Sequence, residues 1–210
     1  MSYTLIIIIV TVAISAIAWN KPAMYHGLMF NPYQIAKNGQ AYRFLSSGFI
    51  HEGWVHLGFN MFTFYFFGRN VEQIFTYVLG SSGPLVFVAM YLLAIVLSDL
   101  PSFFKHKDFP GYNSLGASGG VSAVVFSSIL YMPLSNICLY GFICLPGFIL
   151  GILYIIYSVY QGKSMSDNIN HQAHLIGALF GVIFSVIVNP GALPAFVEQL
   201  STYRIFWSER

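Results

Sequence analysis

The chain of 210 residues is 57% hydrophobic and 18% aromatic, and only 8% of its residues are charged, with a formal net charge of +2. Soluble proteins contain about 25% charged residues, so this composition excludes an ordinary soluble domain and a disordered chain. The positive charge is too small and too scattered to argue for nucleic-acid binding, and we expect no nucleic-acid partner. The composition predicts a single membrane domain over residues 1–210, with the lipid bilayer as its main surroundings.

Uncharged runs long enough for membrane helices follow one another along the chain. A helix needs about 20 mainly apolar residues to cross the hydrocarbon core. The longest run, residues 109–162, contains no charged residue and is interrupted near its middle by Pro133 and Asn136, which allows two helices there. We therefore predict an all-α protein with six transmembrane helices, at about residues 3–19, 54–71, 83–99, 118–132, 139–160 and 171–188.

The first predicted helix and the connection after it have distinct compositions. Residues 1–4 carry no positive side chain ahead of the apolar run, unlike a signal peptide, so we expect this helix to stay uncleaved. Residues 21–52 form a polar connection that is rich in aromatic side chains. Such a composition is typical of a segment that lies in the membrane interface.

The two cysteines, Cys138 and Cys144, both lie inside an apolar run. Cysteine often behaves as a small hydrophobic residue when it is surrounded by apolar side chains. We expect these two to pack in that way and to form no disulfide.

Four polar clusters lie at the ends of predicted helices. Polar groups at membrane depth are unfavourable, so they mark candidate functional sites. The clusters are His51, His56 and Asn60 in the second helix, Arg69 and Glu72 at its far end, Ser118 in the fourth helix, and Asn168, Asn170, His171 and His174 in the sixth. Successive helices alternate in direction, so the second, fourth and sixth begin on the same side of the membrane. We expect their clusters to meet there.

Ser118 and His174 are the candidate nucleophile and general base. A serine hydroxyl attacks a carbonyl group only when a base lies within hydrogen-bond reach. Small residues at positions 177, 178 and 181 share the helix face of His174, and such a stripe lets another helix approach closely. We therefore predict that the sixth helix packs on the fourth and brings His174 to Ser118.

His56 and Asn60 are candidate donors for a developing oxyanion. They are four residues apart and share one face of the second helix. The free N–H groups at the start of the fourth helix lie beside Ser118, where an oxyanion would form. We predict that the backbone N–H of Ser118 acts together with these two side chains.

The sequence resembles the rhomboid intramembrane serine proteases of the six-helix bacterial type. The matching motifs are HEGWVHLGFN at 51–60, GRNVE at 68–72, GASGG at 116–120 and AHLIGALFG at 173–181. The resemblance implies a six-transmembrane-helix rhomboid-like bundle in which Ser118 is the nucleophile, His174 the general base, and His56 and Asn60 part of the oxyanion hole. It implies no cofactor and no metal.

The resemblance also has implications for substrates and location. It implies single-span membrane proteins as substrates and a prokaryotic inner membrane as the site of action. It places the N-terminus in the cytoplasm, with the active site toward the outer face. Counted alone, the charges point the other way: six Lys and Arg residues fall on the side of the candidate site, and three fall on the other. The positive-inside rule would then put the N-terminus outside.

Two positions depart from the family pattern. Tyr42 precedes Arg43 where the family carries tryptophan ahead of its arginine. Ser122 lies four residues after Ser118, where the family commonly has an aromatic ring stacked near the histidine. The resemblance therefore does not explain how His174 is oriented. Asp167 is the carboxylate nearest to His174 in sequence but lies outside the motif, so we predict a Ser–His dyad.

Three other functions would use the same kinds of residue but fit this sequence less well. A zinc protease needs two histidines four apart, whereas His51 and His56 are five apart and lie roughly 140° from each other around a helix. A small-solute transporter could use the polar groups as a pathway, but the predicted helices show no inverted repeat and almost no charge. A catalytically silent rhomboid-like protein that binds membrane clients typically lacks the serine or the histidine, and both are present here.

The remaining polar residues have simpler interpretations. We interpret His51 and His171 as structural, tying segments together by hydrogen bonds. Arg69 and Glu72 are three residues apart, and this spacing predicts a local ion pair on one helix.

Overall fold

A computed structural model describes residues 2–139, 143–164 and 170–203 of the chain. The described chain is mainly helical, with one antiparallel hairpin. The helices are α1 (Tyr3–Trp19), α2 (Pro22–Leu28), α3 (Pro32–Asn38), α4 (Arg43–Ser46), α5 (Trp54–Leu79), α6 (Gly83–Ser98), α7 (Leu100–His106), α8 (Ser118–Tyr131), α9 (Gly147–Ser164), α10 (His171–Val188) and α11 (Ala192–Ser201), and the strands are β1 (Asn136–Leu139) and β2 (Ile143–Pro146).

Helix α5 is longer than the sequence predicts. It continues beyond the predicted end near residue 71 to Leu79, because polar side chains at 69–73 are compatible with a helix. The helix ends at Gly80, which has a φ of 63°. This left-handed conformation favours glycine and is a common way to end a helix.

The predicted fifth helix begins later than expected, and the cysteine prediction is wrong. Residues 136–146 form the β1–β2 hairpin, and α9 starts only at Gly147. Pro146 restricts the residue before it to an extended conformation, which favours a strand at this point. The register places Cys138 opposite Cys144, and the two form a disulfide. On a helix, cysteines six residues apart would instead face different sides.

The connection over residues 21–52 folds back beneath the loop that precedes α8. Arg43 is 93% buried and donates hydrogen bonds from Nη1 to the carbonyl groups of His26 (2.9 Å) and Met29 (2.7 Å). These bonds fix the path of the connection. Its Ser47 carbonyl accepts a 2.9 Å hydrogen bond from the N–H of Gly116, so the connection supports the backbone just ahead of Ser118.

Glu72 links α5 to α1, and the predicted ion pair with Arg69 is wrong. The Glu72 carboxylate accepts hydrogen bonds from the N–H groups of Tyr3 (2.7 Å) and Thr4 (3.0 Å) and from the Thr4 hydroxyl (2.6 Å). A carboxylate is stabilised at a helix N-terminus by the free N–H groups there. Arg69 instead donates to the hydroxyl of Tyr65, at 2.9 Å.

The outer surface of the fold is apolar. Large hydrophobic side chains point outward along the helices, among them Val55, which is 87% exposed, and Ile187, which is 72% exposed. Within the described residues, the helical stretches Trp54–His106 and His171–Val188 are long and apolar enough to cross a membrane, and α1, α8 and most of α9 are apolar but shorter. The surface is consistent with a membrane protein, and the number of spans stays a prediction.

Candidate active site

Helices α8 and α10 are in backbone contact through glycines. A Cβ atom added to Gly177 would lie 2.9 Å from the carbonyl carbon of Gly119, and one added to Gly181 would lie 2.6 Å from that of Ala123. Both distances are shorter than ordinary contacts, so only glycine fits at these positions. The packing of the sixth predicted helix on the fourth is confirmed.

The contact repeats every four residues on both helices, which means that α8 and α10 run parallel. The residues in contact, Gly119 with Gly177 and Ala123 with Gly181, are 58 positions apart in sequence. Further along, Ser127 and Ser185 have the same separation, and their hydroxyls form a 2.6 Å hydrogen bond. The same offset places His174 level with Gly116, within one turn of Ser118. The structure thus brings the predicted nucleophile and the predicted base to the same end of one helix pair.

Ser118 is the first residue of α8 and is half-buried. The loop ahead of it turns at Gly116, whose φ of 117° favours glycine. The first bond of the helix runs from the N–H of Val121 to the carbonyl of Ala117, so the N–H groups of Ser118 and the next two residues precede the helical hydrogen-bond pattern. The hydroxyl therefore lies beside backbone donors, as an oxyanion site requires.

His56 lies against the same loop, and Asn60 follows it by one turn of α5. A Cβ atom added to Gly116 would lie 2.9 Å from Nε2 of His56, so the imidazole packs directly on the peptide ahead of Ser118. Asn60 is buried and donates a 3.0 Å hydrogen bond from Nδ2 to the His56 carbonyl. The structure brings both predicted donors to the site, and their role as oxyanion ligands stays a prediction.

His51 supports the loop from beneath. It is fully buried, its Nε2 accepts a 3.2 Å hydrogen bond from the N–H of Ala117, and its Nδ1 lies 3.2 Å from the Ser15 hydroxyl. That hydroxyl donates to the Phe49 carbonyl, which assigns the imidazole proton to Nδ1. Burial, together with the nearby His56, lowers the pKa of His51 to about 3. The predicted structural role of His51 agrees with these contacts.

A second polar group holds the start of α10. Asn170 caps the helix by accepting a hydrogen bond from the N–H of Ala173 (3.1 Å), and it donates to the Asp99 carboxylate (3.3 Å) and the Ser102 hydroxyl (3.0 Å). Asp99 and Ser118 line the same cavity of about 20 Å³, which is large enough for one water molecule. No sequence motif links Asp99 to the site, because only the tertiary packing of α6 against α10 brings it there.

The aromatic neighbour of His174 comes from an unexpected helix. The ring of Tyr154, in α9, is stacked on the imidazole at 6.0 Å between centroids and 25° between planes. The Tyr154 hydroxyl forms a 2.6 Å hydrogen bond with the hydroxyl of Ser122. Sequence reasoning missed Tyr154 because α9 carries several tyrosines, including Tyr157 and Tyr160, and no motif distinguishes them.

The polar residues that precede His174 in sequence are described only in part. Asp167 and Asn168 lie outside the described residues. His171 is buried, and its ring contacts the imidazole of His174 edge-on at 5.5 Å. Among the residues that the structure describes, no three His, Cys, Asp or Glu side chains come together as metal ligands.

Comparison with known proteins places these residues in a family. The sequence model of the Rhomboid domain matches residues 38–191, a stretch that contains all four predicted site residues. The chain is 30% identical over 178 residues to RHOMBOID-like protein 12, mitochondrial, of Arabidopsis thaliana, an alignment that covers 78% of this chain and 52% of the relative.

Two further relatives show the same similarity. Rhomboid protease GluP of Bacillus subtilis is 31% identical over 156 residues, which cover 73% of this chain and 28% of that protein. Rhomboid-related protein 1 of Caenorhabditis elegans is 28% identical over 177 residues, which cover 79% of this chain and 45% of that protein. The chain thus spans about half, or less, of the length of the curated relatives it matches.

Proposed function

The chain belongs to the rhomboid family, and on that premise we propose that it is an intramembrane serine endopeptidase that acts through Ser118 and His174. One observation carries the proposal. The parallel register of α8 and α10 brings Ser118, at a helix N-terminus, within one turn of the level of His174. The proposal includes the six transmembrane helices predicted from the sequence.

The proposed reaction uses groups of this chain and one water molecule. His174 takes the proton of the Ser118 hydroxyl as the oxygen attacks the scissile carbonyl carbon. The resulting oxyanion accepts hydrogen bonds from the Ser118 N–H, His56 and Asn60. His174 then returns the proton to the leaving amine, and water hydrolyses the acyl-enzyme by the same route.

The proposed substrates are single-span membrane proteins. A transmembrane helix uses its carbonyl groups in internal hydrogen bonds, and with no water in the bilayer core these bonds stay closed. A scissile carbonyl therefore becomes accessible only where the helix unwinds. We expect small or helix-breaking residues near the cleavage site, because they lower the free energy required for unwinding.

Reaction with a fluorophosphonate probe in detergent tests the proposed nucleophile. We expect labelling at Ser118 and not at the nearby Ser114, Ser122 or Ser127, and loss of both labelling and cleavage in Ser118→Ala. His174→Ala should abolish cleavage of a model transmembrane substrate. Labelling of another serine, or no labelling of folded protein, would contradict the dyad. Substrate binding without cleavage would favour a silent client-binding protein, and activity lost on chelation and restored by zinc would favour a metal site.

The proposed orientation places the N-terminus in the cytoplasm of a prokaryotic cell and the site toward the outer face of the inner membrane. A cysteine at the exposed Lys37, in a chain with Cys138→Ser and Cys144→Ser, tests it with a membrane-impermeant maleimide. Labelling of intact cells supports this orientation. Labelling only after permeabilisation would support the opposite one, which the positive-inside rule predicts from the charges.

A further inference from the structure

We propose that Tyr154 of α9 is a positioning residue for His174 and that Ser122 of α8 fixes it in place. The inference rests on the proposed function, because it concerns the base of that reaction. It differs in assigning a role to a helix that carries none of the predicted site residues.

One face of α8 contains both the nucleophile and the contacts of Tyr154. Ser118, Ser122 and Phe126 follow one another at intervals of four residues and therefore share that face. The Ser122 hydroxyl lies 2.6 Å from the Tyr154 hydroxyl. The Phe126 ring packs on the Tyr154 ring, with 5.6 Å between centroids. The tyrosine is thus held at its tip and at its ring by the helix that carries the nucleophile.

Helix α9 approaches α8 closely at the turn before Tyr154. A Cβ atom added to Gly151 would lie 3.3 Å from Cδ1 of Ile129 and 3.5 Å from Cε1 of Phe126. The glycine lets the α9 backbone sit against these side chains. Because Tyr154 follows by one helical turn, this approach brings its ring over His174 as well as its hydroxyl to Ser122.

The stacked ring can act on His174 in two ways. It lies against one face of the imidazole and so restricts rotation of the side chain, which in the proposed reaction must present a nitrogen to Ser118. It also offers the negative face of its π system to the imidazolium that forms when His174 takes the proton, an attraction that operates within about 6 Å of the ring centre. Both effects act on proton transfer and not on substrate binding.

Position 122 explains why the ring comes from α9. A side chain as small as serine leaves the space beside His174 to be filled from another helix, and its hydroxyl supplies a partner for the phenol. Ser122 is 95% buried, so its hydroxyl needs such a partner. The two residues form one unit that spans α8 and α9.

The test compares Tyr154→Leu, Tyr154→Phe and Ser122→Ala with the wild type, and Tyr160→Leu is the matched control. Tyr160 lies on the same helix and is 71% exposed, so its replacement makes the same chemical change away from His174. Two quantities are measured: kcat and KM for a model substrate, and the rate and final extent of Ser118 labelling by a fluorophosphonate. In that labelling the Ser118 oxygen forms a bond to phosphorus, fluoride leaves, and His174 takes the proton.

We expect Tyr154→Leu to lower kcat and the labelling rate constant about 10-fold, with KM nearly unchanged. A general base contributes about 10²–10⁴-fold to the rate, and loss of the stacked ring should remove only a part of that contribution. The final labelling extent reports only the folded fraction and should stay near that of the wild type. Tyr154→Phe keeps the ring and should recover most of the rate. Ser122→Ala should cost about as much as Tyr154→Phe, and combining the two should add little, because both remove one hydrogen bond.

The outcomes separate this inference from the proposed function. Absence of Ser118 labelling in the folded wild type would overturn the proposed function itself. Normal labelling of the wild type with an unchanged rate constant in Tyr154→Leu would overturn only the role of Tyr154. A loss in Tyr160→Leu equal to that in Tyr154→Leu would also overturn it, because the effect would then belong to α9 in general.

Discussion

Replacing Gly177 with alanine tests the helix contact on which the proposed dyad depends. The added methyl group would lie 2.9 Å from the carbonyl carbon and 3.1 Å from the Cα of Gly119, where ordinary contacts begin near 3.4 Å. The opposing atoms belong to a helix backbone, which cannot rotate away as a side chain does. Helices α8 and α10 would therefore have to separate by roughly 1 Å.

The separation should affect both stability and catalysis. Overpacking of a core typically destabilises a protein by about 1–3 kcal/mol, and we expect about 3 kcal/mol here because the obstacle is backbone. A displacement of about 1 Å between a base and its nucleophile can lower the rate about 100-fold. Gly177→Ala should thus lose kcat even in the fraction that remains folded.

Thermal unfolding in detergent, kcat and the fluorophosphonate labelling rate measure these effects. Gly58→Ala is the control, because Gly58 is also helical and an added Cβ there meets nothing within 4 Å. Alanine favours a helix over glycine by about 1 kcal/mol, so this variant should be as stable as the wild type or slightly more stable. An unfolding free energy and a kcat close to those of the wild type in Gly177→Ala would refute the close contact.

Three other predictions concern Asn60, His51 and the disulfide of the β1–β2 hairpin. Asn60→Ala should lower kcat about 10-fold or more with KM little changed, since an oxyanion donor acts only in the transition state; a change in KM alone would make Asn60 a substrate contact, and His56→Ala with the double mutant shows whether the two donors act together. The pKa of His51 is about 3 in the folded protein against 6.5 in a free side chain, so the unfolded chain binds the extra proton, and the stability contributed by neutral His51 falls by about 1.4 kcal/mol per pH unit as the pH drops from 6.5 toward 3. As the pH is lowered from 6.5 toward 3, the melting temperature of His51→Gln should therefore rise relative to that of the wild type. A difference that does not change with pH would contradict the assignment. Cys138 and Cys144 should react with maleimide only after reduction, and intact mass shows whether unreduced protein is modified.

The sequence was sufficient for features that depend on helical periodicity. The spacing of Gly177 and Gly181 predicted a close helix contact, and the alternation of helix direction predicted that the starts of α5, α8 and α10 meet. Both follow from local geometry that repeats along the chain. The long uncharged runs likewise marked the main helices, since the solvent around each is apolar.

Features that depend on packing between distant segments were not predictable. The Arg69–Glu72 spacing suggested a local pair, but the start of α1 offers Glu72 three donors, which a single arginine at the surface does not match. The hairpin at 136–146 has the same apolar composition as a helix, so hydropathy cannot distinguish the two. Tyr154 contacts His174 only because Gly151 brings α9 against α8.

The backbone contact between α8 and α10 also determines where the molecule is stiff. Where two helices meet through glycine, no side chain can change rotamer to open a gap, and pulling the helices apart would leave a void along the contact. Helix α9 meets α8 differently, because its Gly151 lies against the side chains of Ile129 and Phe126 and not against the α8 backbone. The α8–α10 pair is therefore the least deformable part of the bundle, and it fixes the spacing of the backbone at Ser118 and His174.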